Sequence, residues 1–389
     1  MDKILLRDRN LQIIFVITLF AVMGVASIAP VLPQIIDYFN ISDKQVGLLF
    51  TWFTLPGIIL PPLFGILADR IGRKPVLIPS LFLFGISGFI CVFTRDFKHL
   101  LWLRFFQGIG AASLGSLNIT LIGDLYSGRS RADAMGYNAG VLSIGTALYP
   151  ALGGALALAG WYMPFSLPLL TVPLGIYVAL KLKVPEIKNE QKFGRYFINT
   201  LKNIFNFNIL VIFLINVLIF LILYGVYITY LPLMLKARLH GTSLNIGLVM
   251  SLMSVTTAIV SSNIGRLSAK YSGKLLLIQG MIFYSLALAL LSISKAWWMV
   301  MIPVVIFGMG HGLNIPTIQT MLVSHAPMKE RAVFMSINSM VLRIGQTIGP
   351  PLMGIAFGYG GFNLTFLAGT GIAVFMILAV LTLKRNPVS

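Results

Sequence analysis

The chain has 389 residues, of which 57% are hydrophobic and 10% are charged, and its formal net charge is +18. Soluble domains carry roughly 25% charged residues, so this composition excludes an ordinary water-soluble protein. A basic balance can indicate nucleic-acid binding, but here the basic residues lie in short gaps between long uncharged runs. We therefore expect the lipid bilayer to surround the chain, and we expect no nucleic-acid partner.

The apolar runs are long enough to cross a bilayer as helices. A membrane-spanning helix needs about 20 mostly apolar residues, and inside lipid every backbone polar group must be bonded within the segment. The sequence therefore predicts an all-α membrane protein with twelve spans. These spans lie at 11–36, 46–68, 75–94, 98–122, 134–158, 161–181, 207–235, 243–268, 274–294, 297–324, 331–358 and 362–384.

Lysine and arginine are distributed unevenly between the connections. If the N-terminus is cytoplasmic, the connections on the outer side hold six of the 29 basic residues: Lys44, Arg95, Lys98, Lys236, Arg238 and Lys295. Two more, Arg104 and Arg343, lie within spans, and the other 21 lie on the inner side. Because basic residues favour the cytoplasmic side, we expect both termini to be cytoplasmic.

The two halves of the chain repeat each other at a constant offset of 200 residues. Gly47 matches Gly247 and Pro150 matches Pro350, with no gap over long stretches. The long polar stretch between the sixth and seventh spans divides the repeats. We predict an N-terminal half at 1–182, a cytoplasmic linker at 183–206 and a C-terminal half at 207–389. Parallel repeats of six helices are typical of transporters whose substrate site lies near the bilayer midplane.

Residues 65–77 read GILADRIGRKPVL, a short charged turn between two apolar runs. This stretch resembles the signature of the major facilitator superfamily, which lies between its second and third helices. The positions that match are Gly65, Asp69, Arg70, Gly72, Arg73 and Lys74.

Three further stretches resemble motifs of the twelve-helix drug:proton antiporters in that superfamily. They are APVLP at 29–33, LRFFQGIGAA at 103–112 and GTALYPALGG at 145–154. Tyr149 stands where the last motif usually has glycine. The matching C-terminal stretch, GQTIGPPLMG at 345–354, fits the motif better.

The resemblance implies a secondary active transporter that exports small amphipathic molecules, coupled to protons, by alternating access. It further implies a monomer in a prokaryotic plasma membrane. A second hypothesis is transport of an anionic solute or lipid-like anion, with arginines in the spans as counter-charges. A third, a receptor or enzyme on a similar scaffold, is disfavoured because no loop is long enough for a separate domain.

The charged turn also has a physical rationale. The resemblance implies that Asp69 contacts the start of the eleventh span in one conformational state, where helix amide dipoles favour a carboxylate. It also implies that Arg73 pairs with Asp124 at the end of the fourth span, with Arg70 beside them. Together these four residues form a predicted conformational latch; the alternative is a solvated turn that only fixes topology.

A few strongly polar residues lie within the spans, where they are costly and usually functional. The predicted substrate or proton pathway consists of Arg104, Asn118, His311, Asn314 and Arg343. His311 and Arg343 both lie near mid-depth, so we expect the two basic groups to meet in the cavity. The alternatives are snorkelling for Arg104, a bonded core residue for His311, carbonyl bonding for Arg343 and helix-to-helix bonds for the asparagines.

Glycine and proline recur in the fifth and eleventh spans. The predicted helix-bending motif consists of Gly145, Pro150, Gly153, Gly154, Gly349 and Pro350. Glycine lets helices approach closely, and proline removes a backbone hydrogen bond. Ordinary packing through small residues is the alternative.

Motifs for cofactor or metal chemistry do not occur in the sequence. There is no P-loop lysine motif, which argues against ATP-driven transport by this chain. The four histidines, His99, His240, His311 and His325, are too dispersed for an obvious metal site. We therefore expect neither a cofactor nor a bound metal.

The predicted topology is open to direct test. Protease sites introduced next to Glu190 in the linker and next to Ser389 should both be protected in intact cells, because lysine and arginine concentrate on that side. Both should be cleaved once the membrane is opened. Cleavage of one site and protection of the other in intact cells would contradict an even number of spans.

Overall fold

The computed structural model describes residues 3–184, 206–325 and 331–383, and nearly all of these residues are helical. Within them, eleven helical stretches are long and apolar enough to cross a membrane. The first ten are α1 (Arg9–Phe39), α2 (Asp43–Ile71), α3 (Arg73–Phe93), α4 (Phe97–Leu125), α5 (Gly128–Leu156), α6 (Met163–Lys181), α7 (Phe207–Leu239), α8 (Ser243–Ser262), α9 (Gly273–Ile293) and α10 (Trp297–His325). The predicted linker falls almost entirely outside the described residues.

The eleventh stretch, Arg331–Leu381, is interrupted at a pair of glycines. Gly360 and Gly361 leave helical geometry, and Gly361 has φ +60° and ψ −151°, a conformation that is open essentially only to glycine. The break divides the stretch into α11 (331–359) and α12 (362–381). The described residues thus contain eleven membrane-capable helical stretches, the last of them in two arms, and the count of twelve spans stays a prediction.

Several helices contain local irregularities. In α1, a helix from Arg9 to Ala26 is followed by a 3₁₀ turn at Ala29–Val31 and a second helical segment. Pro30 lies in this turn and cannot donate a backbone hydrogen bond. In α7, residues Ile222–Ile228 form a π-helix. The eighth span ends at Ser262 rather than at the predicted residue 268, because Asn263 leaves helical geometry before a short separate helix.

The described chain divides into two compact units. The first contains Met1–Ile41, Leu48–Gln191 and Thr242–Ser251, and the second contains Ser42–Gly47, Lys192–Gly241 and Leu252–Ser389. Each unit therefore takes most of its residues from one sequence half and a short helix end from the other.

The internal repeat extends to individual packing contacts. A methyl group added to Gly108 in α4 would overlap the Phe53 carbonyl of α2. At an offset of 200 residues, a methyl group on Gly308 in α10 would overlap the Met253 carbonyl of α8. The same helix pair therefore packs through the same glycine in both units, as the repeat in the sequence predicts.

The charged turn is also repeated in its contacts. Lys74, at the start of α3, donates to the Ala179 carbonyl near the end of α6, at 2.9 Å. Its counterpart Lys274 donates to the carbonyls of Leu381 and Leu383, at 2.8 and 2.9 Å. Both lysines thus bind the last carbonyls of a helix, where the helix dipole favours a cation. Each lysine fastens the third helix of its repeat to the sixth.

Candidate functional site

Arg73 joins the two carboxylates of the predicted latch. Gly72, with φ +97°, turns the chain directly from α2 into α3, so that Arg73 begins the new helix. Its Nε donates to Asp124 Oδ2 at 2.9 Å, and its Nη1 donates to Asp69 Oδ1. One guanidinium therefore connects α2, α3 and α4. The Arg73 side chain is 10% exposed, whereas Asp69 is 32% exposed, so Asp69 is the member open to another partner.

Arg70, the fourth residue of the predicted latch, does not join this cluster. Its side chain is exposed and makes no hydrogen bond or ion pair with any residue that the structure describes. The structure therefore brings together Asp69, Arg73 and Asp124, and it leaves Arg70 in the solvated turn.

The end of α4 beside Asp124 is capped by a second arginine. Arg131 donates through Nη2 to the Gly123 carbonyl at 2.7 Å and through Nε to the Tyr126 carbonyl at 2.8 Å. Burial, and then the nearby Asp8 carboxylate, raise the pKa of the Tyr126 hydroxyl. The Tyr126 hydroxyl therefore stays neutral at physiological pH. The positive charge that is favourable at the C-terminal end of α4 comes from Arg131.

Arg104 is completely buried in the first unit. In α1, the Ile28 amide bonds to the Val25 carbonyl at 3.1 Å instead of continuing the helix with Gly24. Arg104 Nη2 donates to that Gly24 carbonyl at 2.7 Å, and Nη1 donates to Gln107 Oε1 at 2.6 Å. The guanidinium thus replaces the hydrogen bond that is lost where α1 breaks.

An aromatic ring completes the surroundings of Arg104. The guanidinium carbon lies 4.2 Å from the centre of the Phe53 ring, a distance typical of a cation–π contact. The snorkelling interpretation of Arg104 is wrong, because the side chain has no exposed surface. Its position on the substrate pathway stays a prediction.

Asn118 bonds helices to one another inside the first unit. Its Nδ2 donates to the Ile14 carbonyl of α1 at 3.2 Å and to the Thr18 hydroxyl. The same hydroxyl lies 2.5 Å from Asn138 Oδ1 in α5. Thr18, Asn118 and Asn138 therefore link α1, α4 and α5, the arrangement that the alternative interpretation of these asparagines predicts.

His311 pairs with a tyrosine that the sequence reasoning did not single out. Its Nδ1 lies 2.5 Å from the Tyr284 hydroxyl of α9. The Tyr284 ring stacks on Phe307 at 4.3 Å between centroids, and Phe307 stacks on Tyr227 of α7 at 4.8 Å. A row of parallel rings thus runs from α7 to His311, which fixes the orientation of the imidazole.

Asn314 lies on the same side of α10 as His311. Its amide is fully buried, and neither amide atom has a hydrogen-bond partner within the described residues. A methyl group added to Gly280 of α9 would overlap this amide. The pair His311 and Asn314 therefore contacts α9.

Arg343, in α11, bonds within its own helix. Its Nη1 donates to the buried Gln346 Oε1 at 3.0 Å, and Tyr224 of α7 lies within electrostatic reach. No hydrogen bond joins Arg343 to His311 in the part of the chain that the structure describes. His311 bonds to Tyr284 of α9, whereas Arg343 bonds to Gln346 of its own helix, and the expected meeting of the two basic groups in one cavity stays a prediction.

The glycines of the eleventh span explain why α7 and α11 lie so close at this point. Gly349 lies against Gly225 of the π-helix, and a methyl group on Gly225 would sit 2.5 Å from the Gly349 carbonyl oxygen. Pro350, on another side of α11, lies against Gly47. The backbone stays helical at Pro350, because the described departures from helical geometry in this stretch are at Gly360 and Gly361.

The corresponding residues of α5 pack against two helices of the first unit. Gly145 contacts side chains of α1, and a methyl group on Gly153 would overlap the Ser27 carbonyl at the break of α1.

On the opposite side, Gly154 faces the backbone of Ser243 in α8, and Pro150 faces Gly247. All six motif residues thus make close helix contacts, and bending at them stays a prediction.

Three residues at these sites, Tyr284, Tyr224 and Gln346, were not indicated by the sequence. Tyrosine and glutamine in apolar runs give no distinctive pattern, so only the fold shows that they contact His311 and Arg343. One signal was present for Tyr224: Gly225 follows it in an apolar run, and glycine in such a run often marks close approach of another helix.

The family model described as Major Facilitator Superfamily matches residues 14–244 and 213–389. The chain belongs to the major facilitator superfamily. Members of this superfamily are transporters rather than enzymes. The chain is accordingly a multi-pass membrane protein with a transport function.

Similar chains carry names that refer to export and resistance. The bacillibactin exporter of Bacillus subtilis (strain 168) is 25% identical, covering 97% of this chain and 98% of the relative. Multidrug resistance protein 1 of the same organism is 25% identical, covering 95% and 96%. The quinolone resistance protein NorA of Staphylococcus aureus is 24% identical, covering 86% of each.

Solved structures share the fold. The nucleoside transporter NupG superposes with a TM-score of 0.80 at 12% identity, covering 97% of this chain and 100% of that one. A bacterial homolog of the human lysosomal transporter Spinster superposes with a TM-score of 0.81 at 18% identity, covering 96% and 95%. At these identities the likeness concerns the fold alone.

The Arg73 cluster yields a prediction for Asp69. Asp69→Asn should reduce the transport rate severalfold while expression stays normal, because Asp124 still holds Arg73 in place. A carboxylate at a helix N-terminus contributes roughly 0.3–2 kcal/mol, enough to shift a balanced conformational equilibrium severalfold. Transport in membrane vesicles provides the measurement.

Asp133→Asn is the matched control for this variant. It removes a carboxylate from the start of α5, where Asp133 makes no hydrogen bond or ion pair with any described residue. Transport at the normal rate in the Asp69 variant would mean that Asp69 only fixes the topology of the turn.

Proposed function

We propose that this chain exports small amphipathic molecules and couples their export to proton entry by alternating access. The observation that carries the proposal is the full-length likeness to relatives named as exporters or resistance proteins, which covers up to 97% of this chain. The antiporter-like motifs in α1, α4 and α5 support the same interpretation. The triad of Asp69, Arg73 and Asp124 supplies a charge cluster with one partly exposed member that can exchange partners between states.

The proton carrier in this proposal is His311. No Asp or Glu side chain is fully buried among the described residues. The described spans therefore offer no buried carboxylate that could carry the proton. Histidine can take up and release a proton through its ring nitrogens. Tyr284 occupies Nδ1 of His311, and Nε2 makes no hydrogen bond to any described residue. Nε2 is thus the nitrogen that would take up and release the proton.

We also propose a monomer in the plasma membrane of a prokaryote, with both termini in the cytoplasm. The bias of lysine and arginine toward one side supports this orientation. One chain contains both copies of the six-helix repeat, which supports a functional monomer.

Reconstituted vesicles with an imposed pH gradient test export and coupling together. The wild-type protein should drive movement of a fluorescent amphipathic dye in response to the gradient, and His311→Gln should abolish most of that response. Glutamine keeps a polar side chain at the position but cannot carry the proton. Tyr284→Phe, which keeps the stacked ring, should weaken the response by a smaller factor.

His99→Gln is the control for the loss of a histidine, because the His99 side chain is 81% exposed and pairs with Asp96 at the start of α4. It should behave like the wild-type protein. An unchanged response to the gradient in His311→Gln would exclude His311 as the proton carrier.

A second candidate substrate class is a molecule that carries an anionic group. The observation that favours it is the charge around Arg343, whose guanidinium has a neutral hydrogen-bond partner in Gln346. From residue 207 to the C-terminus the sequence contains one acidic residue, Glu330, against eleven lysines and arginines. Glu330 lies outside the described residues. An anionic group on the substrate would compensate the Arg343 charge.

Dye binding distinguishes the two substrate classes. Arg343→Gln should weaken binding of an anionic dye roughly 10- to 100-fold, because hydrogen bonds to charged groups contribute about 1.5–3 kcal/mol. Binding of a neutral dye of similar size should change little, and Arg343→Lys should restore part of the anion affinity. Arg266→Gln, which removes an arginine beyond the end of α8, is the matched control. Equal affinity of wild type and Arg343→Gln for the anionic dye would rule out Arg343 as the counter-charge.

A further inference from the structure

A pocket of about 750 Å³ opens at one end of the second unit. It lies where α7 and α9 finish and where the glycine break separates α11 from α12. The predicted topology assigns this end to the outer side of the membrane. The residues that line the pocket are Arg238, Ser292, Ile293, Lys295 and Asn363.

Arg238 is held rigidly in this pocket by neutral groups. Its Nη1 donates to the carbonyls of Ser292 and Ser294, at 3.0 and 3.1 Å, and its Nη2 donates to Asn363 Oδ1. A guanidinium has five N–H donors, so two remain for a ligand. The position of Arg238 is therefore fixed, while its positive charge is not paired with the carboxylate of any described residue.

Lys295 provides a second positive charge at the same pocket. Its side chain is exposed and makes no hydrogen bond or ion pair with a described residue. Half of the six basic residues in the outer connections, namely Lys236, Arg238 and Lys295, belong to this corner. Such clustering runs against the general exclusion of lysine and arginine from the outer side.

Acidic residues do not compensate these charges. None lines the pocket, and the one acid that follows residue 206 in the sequence, Glu330, belongs to a connection predicted on the opposite side. Asp43 belongs to the second unit, but it lies near Tyr230. Tyr230 precedes Arg238 by two helical turns, which is roughly 12 Å along α7. Within the part of the chain that the structure describes, the two positive charges of the pocket are thus not paired with a carboxylate.

The apolar surface beside the pocket indicates which kind of anion fits. Ile293, on the pocket wall, is 60% exposed, and the nearby Trp298 at the start of α10 is 67% exposed. Exposed tryptophan at the end of a membrane helix marks the boundary between hydrocarbon and water. The pocket therefore has a polar, positive interior and an apolar rim that faces lipid.

We propose that this pocket binds the headgroup of an anionic phospholipid. The phosphate accepts hydrogen bonds from Arg238 and Lys295, and an acyl chain lies along Ile293 and Trp298. Free phosphate shares the headgroup chemistry but gains nothing from the apolar rim. The site is separate from Arg343 and His311, so the proposal does not depend on the transported substrate or on the direction of transport.

The test measures lipid binding to the purified full-length protein. Native mass spectrometry and thermal unfolding are followed as phosphatidylglycerol, phosphatidylcholine or inorganic phosphate is added. Phosphatidylglycerol should bind saturably and raise the unfolding temperature most. Lys295→Gln should weaken its affinity about fivefold, as expected for the loss of one cation near an anionic lipid. Lys295 is exposed and unbonded, so this variant should fold normally.

Lys236→Gln is the matched control, because it removes an exposed lysine from the same end of α7 but not from the pocket lining. Its affinity for phosphatidylglycerol should stay at the wild-type value. Equal losses in the two lysine variants would overturn the proposal, because they would indicate diffuse attraction to the surface. Stabilisation by inorganic phosphate that depends on Lys295, without such an effect of phosphatidylglycerol, would overturn the assignment to lipid.

Discussion

A backbone carbonyl without a hydrogen bond is costly inside a membrane, since lipid offers no donor in place of water. This constraint governs where the chain departs from regular helix. At the break in α1, Arg104 supplies the donor that the Gly24 carbonyl lacks. In the π-helix of α7, the Thr229 hydroxyl donates to the Tyr224 carbonyl at 2.7 Å. At both of these irregularities a side chain donates to a backbone carbonyl.

The same constraint explains the hydrogen bonds of several basic residues. Arg131, Arg238, Lys74 and Lys274 all donate to carbonyls at or near the ends of helices. The C-terminal ends of helices carry partial negative charge, so these cations are compensated by the backbone rather than by carboxylates. A chain with 29 basic and 11 acidic residues can therefore stabilise many of its cations without ion pairs. The described lysine and arginine ion pairs both belong to Arg73.

The two repeats have kept their packing and changed their charges. Gly108 and Gly308 approach equivalent carbonyls, and Lys74 and Lys274 bind equivalent helix ends.

By contrast, the first copy of the charged turn has Asp69 and Arg73, whereas the second has Ala269 and Gly273. Packing positions are constrained by the neighbouring backbone in both units. Charged positions are free to specialise, so the chemistry of the protein is unequal between its halves.

The sequence predicted the fold well and the site only in part, for a physical reason. Hydropathy and charge identify spans and turns, because the cost of placing polar groups in lipid is large and local. The contact of Arg73 with Asp124 was expected from the resemblance of the charged turn to a known signature, whereas the contact of Arg73 with Asp69 was not. The direction in which His311 points could not be predicted from the sequence. Because α10 is apolar on most sides, contact with lipid does not determine which side of the helix faces the protein. The partner Tyr284 comes from α9, and only packing brings it to His311.

The π-helix of α7 sets the rotational phase of everything that follows it in that helix. Each residue of an α-helix advances the chain by about 100°, and a π-helix holds an extra residue per hydrogen-bonded turn relative to an α-helix. The segment Ile222–Ile228 therefore shifts the angular positions of all later side chains in α7. Arg238 meets the end of α9 at an angle that already includes this shift. One extra residue in the middle of a span thus determines which way its far end faces.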